Sequence, residues 1–154
     1  MVSVVLLVIG IGLVIAIVLA LILVPFIVRW QRGSATYWAD FDRQVLTSGE
    51  QVVLPRESAV YRAGTGDFSK VKGNGQLTLT DRRLAFRKVT GGVVEIPTGR
   101  ITGAHRAKVF LRSVAGGHEH LVVELAGGDE VGFFVTDLDR WLDTIHRLVT
   151  GGPA

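Results

Sequence analysis

Two short segments, Lys70-Val71-Lys72 and Arg82-Arg83, carry the side chains in this chain best suited to hold a phosphate. Both lie beside turn-forming residues, Gly73-Asn74-Gly75 and Asp81, and a basic side chain on a loop can reach an anion. The surrounding sequence reinforces them. From Arg56 to Arg112 there are twelve Lys/Arg against four Asp/Glu, whereas from Ser113 onward there are two against seven. A basic face held near an anionic leaflet gains about 1 kcal/mol per Lys or Arg. The competing reading is a solvated surface on which the charges mix once the chain folds. Arg83 and Arg87 can then be strand residues that point to solvent.

Other chemistry is thinly represented. With no cysteine there is no thiolate zinc site, iron–sulfur cluster, disulfide or thiol nucleophile. The four histidines are His105, His118, His120 and His146. His118-Glu119-His120 could offer two imidazoles on one side of a strand, but beside Gly116-Gly117 it reads better as a turn. Gly64-Thr65-Gly66 and Gly73-Asn74-Gly75 lack the G-x-x-x-x-G-K-[ST] or G-x-G-x-x-G pattern of a nucleotide loop and read as ordinary turns. No serine stands in a catalytic motif. The expectation is a protein that is not an enzyme, with no cofactor and no metal site.

The elements that must position these residues begin with an anchor. Val2–Val28 contains no charged residue. As a helix it would reach roughly 40 Å against a hydrocarbon core of about 30 Å, so one transmembrane helix is expected. A cleaved signal peptide is the other reading. It fits poorly, because Met1-Val2-Ser3 has no basic residue, the apolar stretch is too long, and Val28-Arg29-Trp30 is no cleavage site. Arg29 and Arg32 follow the span directly, with Trp30 suited to the interfacial belt. The positive-inside rule then puts the N-terminus outside and the C-terminal part in the cytoplasm, at the plasma membrane. Gly10 and Gly12 do not form a G-x-x-x-G dimer motif. The membrane tether and the acidic C-terminal part argue against nucleic-acid binding.

Beyond the span, residues 31–35 read as a short hinge. Tyr37, Trp38, Phe41, Val45 and Leu46 follow at helical spacing, predicting a short juxtamembrane helix that lies in the interface or, better, packs on the domain. Short strands with glycine-containing turns come next. They are expected at 51–54 (stopped by Pro55), 59–63, 76–80, 84–88, 93–96, 101–106, 108–114, 121–125 and 131–135. Leu138, Trp141, Leu142, Ile145, Leu148 and Val149 mark one face of a final helix. Thr136 to Asp139 reads as its capping box and Gly151 as its stop. A β-run closed by one amphipathic helix predicts a barrel with one end plugged. The organisation expected is a transmembrane helix at 1–28, a linker with a short helix at 29–48, and a β domain at 49–150.

Three groups of residues carry a family resemblance. Gly75 to Phe86, GQLTLTDRRLAF, resembles the G-x-L-x-L-T-x-x-R-L-x-F hairpin of bacterial pleckstrin-homology-like (PH-like, GRAM-type) domains. Glu95-Ile96-Pro97 followed by Arg100-Ile101 is similar to their next strand, and the last strand with its helix is the third group. The resemblance covers about residues 49–149 and, with the anchor, looks like an actinobacterial type; the excess of Arg over Lys points the same way. It implies two near-orthogonal antiparallel sheets capped by a helix and a binding module without chemistry. The implied partners are anionic lipid headgroups or a protein, including another membrane protein or a second copy. It favours a structural role for Arg83. The phosphoinositide-binding members carry a longer basic cluster in the first hairpin, whereas here Lys70-Val71-Lys72 is followed by Gly73.

Overall fold

The computed structural model describes the backbone of residues 2–114 and 116–151, and the side chains within them except at 2–11, 26–34, 113 and 114. One helix, α1 (Val2–Ser48), precedes all the strands. These are β1 (Val52–Gly64), β2 (Gly73–Thr80), β3 (Arg83–Lys88), β4 (Val93–Pro97), β5 (Ile101–Ala107), β6 (Val109–Phe110), β7 (Ser113–Val114), β8 (His120–Leu125) and β9 (Glu130–Phe134). A second helix, α2 (Leu138–Thr150), follows. The domain is thus mainly β with a C-terminal helix.

Seven strands form one antiparallel sheet in the order β4-β3-β2-β1-β9-β8-β5, not two separate sheets. The reason is β1. It is thirteen residues long and pairs with β2 along Val52–Tyr61 and with β9 along Val60–Gly64. Two strands were expected here, separated at Pro55, yet Pro55 lies inside β1. Pro55 falls inside the register shift between Leu54 and Glu57, where β1 has no paired partner on β2, so the ladder asks no hydrogen bond of its missing N–H.

Inward-facing residues of all seven strands meet in one core, so the sheet must curl on itself. Leu77, Leu79, Leu84, Phe86, Ile96, Leu121, Val123 and Phe133 are buried there with Tyr61. Trp141, Leu142 and Ile145 of α2 belong to the same core, and the Trp141 indole donates to Glu57 at 2.8 Å. The N-cap of α2 is Asp137, one residue later than the capping box implied, with its carboxylate accepting from the Arg140 amide at 3.1 Å. Gly151 ends the helix in the left-handed conformation.

The expected strand at 108–114 is a hairpin. β6 and β7 pair across a two-residue turn at Leu111 and Arg112, both with positive φ (44° and 62°). That is the geometry of a tight hairpin turn, reached here without glycine at a cost of order 1–3 kcal/mol per residue.

The expected hinge at 31–35 is likewise absent from the backbone: α1 continues through it, and through Pro25. A lone Gly33 costs only about 1 kcal/mol in a helix and does not end one. Among the described residues no helix is long and apolar enough to cross a membrane. The expected span at Val2–Val28 extends, at 2–11 and 26–28, into residues whose side chains lie outside the described set, as do Arg29, Trp30 and Arg32.

The last three turns of α1 lie on the domain. Trp38 and Phe41 are buried against Ala85 of β3, with Tyr37 and Val45 beside them. Polar contacts fix the alignment. Tyr37 donates to Glu95 at 2.6 Å, Asp42 pairs with Arg56 at 3.2 Å, and Gln44 accepts from Arg83 at 3.1 Å. The guanidinium groups of Arg87, Arg56 and Arg83 stack on Tyr37, Trp38 and Phe41 at 4.7, 4.8 and 4.5 Å. Burial, and then the bond to Glu95, push the Tyr37 hydroxyl pKa up.

Candidate functional site: a basic end of the sheet

The β1–β2 loop, residues 65–72, is pinned from beneath. The Tyr61 hydroxyl donates to the Ser69 carbonyl at 2.5 Å, and the Gly64 amide donates to the same carbonyl at 3.1 Å. Thr65 ties the other end of the loop to β9: its amide donates to the Glu130 carbonyl and its hydroxyl to Asp129. The buried Lys88 supplies the last anchor. Its ammonium lies 4.5 Å from the centre of the Tyr61 ring and donates to the Val71 carbonyl at 2.5 Å. Burial lowers the Lys88 pKa and raises that of Tyr61 to about 12.

This scaffold presents Lys70, Val71 and Lys72 outward. All three are exposed, Val71 by 70%. The β6–β7 turn lies beside them. Phe110 of β6 is buried on the outer face of the sheet with Ala63 and Val122. Gly132 makes room for it, since a Cβ there would stand 2.3 Å from the Phe110 ring. The hairpin is thereby clamped so that Leu111 and Arg112 join Arg62, Lys70, Lys72 and the Gly64–Gly66 segment around one cavity of about 450 Å³.

Four cations therefore converge at this end, with apolar Val71 and Leu111 (47% exposed) among them. Among the described residues Lys70, Lys72 and Arg112 enter no ion pair. Acidic groups are also present. Asp67 is exposed in the loop, and Asp129 is held by Thr65.

The other two expected site residues are elsewhere. Lys72 precedes β2 and Arg82 follows it, so the eight-residue strand separates them by roughly 25 Å. Arg82 is exposed in the β2–β3 turn. Arg83 is an internal strut. It pairs with the buried Glu50 at 3.1 Å, approaches Glu95 at 3.6 Å and stacks on Phe41. The Thr80 hydroxyl also donates to Glu50. Arg83 thus joins the C-terminal end of α1 to the sheet, and no single site contains the expected set of Lys70, Lys72, Arg82 and Arg83. The missed partners were Arg62, Leu111 and Arg112. Only the order of strands brings them to Lys70 and Lys72.

The two imidazoles of His118-Glu119-His120 do not share a face. His120 is fully buried with Nδ1 3.0 Å from the Ala107 carbonyl, whereas His118 is exposed against the Phe134 ring. Among the described residues no group of three or more His, Asp or Glu could hold a metal ion.

No protein-family model matches the chain, and no curated protein matches it. Among solved structures, the C-terminal domain of an unknown protein from Leishmania infantum is similar, with a TM-score of 0.52 and 15% identity over 74% of this chain and 98% of that one. At that identity the likeness concerns the fold alone.

Proposed function

We propose that this chain is a non-catalytic, single-pass membrane protein whose PH-like domain binds anionic headgroups through the basic end of its sheet. The observation that carries the reading is the convergence of Arg62, Lys70, Lys72 and Arg112 on one cavity, with exposed Val71 and Leu111 beside them. Cations around projecting apolar side chains suit a bilayer interface, where charge meets phosphate and the apolar group enters the acyl boundary. The uncharged run Val2–Val28 supplies the anchor in this reading, and Arg29, Trp30 and Arg32 its cytoplasmic flank. Tethering makes each later contact intramolecular, so modest affinity suffices.

Residues 36–154 contain every strand, α2 and the packed turns of α1. Their sedimentation with liposomes of rising anionic content tests the reading, with a thermal melt to verify folding. Binding is expected to grow with anionic lipid and to fall with salt. Two Lys→Gln changes at 70 and 72 should remove about 2 kcal/mol, roughly 30-fold in affinity. Binding indifferent to charge and salt sinks the proposal.

A second reading has its own observation. β4 and β5 each pair on one side only, leaving strand edges on which a partner protein or a second copy could add a strand in a membrane assembly. A defined oligomer of the folded domain without lipid affinity would favour it.

A further inference from the structure

The alignment of α1 with the sheet bears on which way the basic end points. Along α1, Tyr37 stands against Arg87, Phe41 against Ala85 and Arg83, and Gln44 against Arg83. As α1 advances from 37 to 44, β3 recedes from 87 to 83, so the two run antiparallel. β2 is antiparallel to β3, with Gln76 opposite Arg87 and Leu79 opposite Leu84. The Lys72 end of β2 therefore points toward the N-terminal part of α1, and the Arg82 end points away from it.

The distances match. From Gln76 back to Lys72 the strand covers four residues, about 13 Å. From Tyr37 back to Val28, α1 covers nine residues, about 14 Å. The basic loop thus reaches the level at which the uncharged run ends and Arg29 begins. Arg82 stands roughly 25 Å farther out, well beyond a headgroup layer of about 5–8 Å.

We propose that α1 is a rigid strap that turns the Lys70–Lys72 loop and the Leu111–Arg112 turn back onto the same bilayer that α1 enters, so that Val71 and Leu111 sit in its headgroup layer. This rests on the anchor reading above. It adds that the pose comes from the strap, not from attraction to charge. The strap suits that role for two reasons. Its helix has no break between 28 and 48, and it is held on the sheet by buried Trp38 and Phe41, three stacked guanidinium groups and the Asp42–Arg56 pair. The partner surface is the membrane in cis, chosen by charge complementarity with Lys70, Lys72, Arg62 and Arg112 and by its continuity with α1.

The absence of native cysteine permits single labels. The full chain is placed in nanodiscs of neutral or anionic lipid, with a fluorophore at Val71→Cys, Leu111→Cys or Arg82→Cys and spin-labelled lipid as quencher. The expected result is strong quenching at 71 and 111 and little at 82, in both lipids. A six-residue Gly-Ser insertion between Gly33 and Ser34 should bring quenching at 71 in neutral discs down to the level at 82. Quenching at 71 only in anionic discs would mean that charge, not the strap, sets the pose, and would overturn the proposal. So would quenching at 82 equal to that at 71, or no effect of the insertion. Quenching at 71 in both lipids, with no anionic preference in the sedimentation assay, would keep the strap and refute the headgroup reading. A chain that does not enter discs overturns the anchor and the strap together.

Discussion

Phe41→Ala should release α1 from the domain without unfolding the domain. Phe41 is 4% exposed, meets Trp38 edge-on at 5.4 Å, packs on Ala85 and carries the Arg83 guanidinium. Truncating a buried phenylalanine costs about 3–5 kcal/mol in a main core. This cluster is small and lies on the outer face of the sheet, so the lower part of that range applies, with about 0.5–1 kcal/mol of it from the lost cation–π contact. A loss of about 3 kcal/mol from strap docking raises the open population of the strap roughly 100-fold. Amide exchange on the full chain reads this directly. Backbone amides at 37–48 should exchange about two orders of magnitude faster, while those of β2 and β8 keep their protection, because Leu77, Leu79, Leu121, Val123 and Leu125 belong to the separate main core. Equal acceleration of strap and core amides would mean that α1 is an integral part of the domain. No acceleration at all would mean that the contacts at Trp38 and Phe41 do not hold it. Either result refutes the strap argument.

Other outcomes follow from the same contacts. Tyr61→Phe removes the bond to the Ser69 carbonyl and should lower stability by about 1 kcal/mol. Because the folded Tyr61 pKa is raised, to about 12, its contribution is complete below pH 10 and is lost as pH rises toward 12; chemical denaturation across that window should show less alkaline loss in the variant. Gly132→Ala drives a Cβ into the Phe110 ring and should cost about 1–3 kcal/mol in a melt, loosening the β6–β7 turn and weakening anion binding with it. Arg83→Ala leaves the buried Glu50 carboxylate without its cation and should lower stability by about 3 kcal/mol while the folded fraction binds anionic vesicles as before; Arg82→Gln should change neither property.

Much of the fold is legible along the chain because local patterns are strong. Gln76 to Thr80 alternates cleanly, Asp81-Arg82 supplies the turn, and the spacing of Trp141, Leu142 and Ile145 marks the buried face of α2. The errors have physical causes. Pro55 reads as a strand terminator, but a bulge tolerates it inside β1. Leu111 and Arg112 carry no turn signature; their positive φ goes with the two-residue closure of β6 on β7, and that hairpin is seated by Phe110 beside Gly132, a contact between distant segments. The length of β1 lets it pair on both sides and merges two expected sheets into one. For the site, charge counting finds Lys70 and Lys72 but groups them with Arg82 and Arg83. Those sit at the opposite end of β2, a strand already expected at 76–80, so counting charges without regard to the strand between them joins two separate places. Arg62 and Arg112 reach the basic end through a bulge and a packed hairpin, neither of which leaves a pattern in the sequence.

Hydrogen exchange on the full chain in nanodiscs of neutral and of anionic lipid shows whether the basic end of the sheet meets anionic headgroups. Added protection is expected in anionic discs at 66–72 and 110–112, with none at the Asp81-Arg82 turn. Protection confined to that turn, or no difference between the two lipids anywhere, would contradict it.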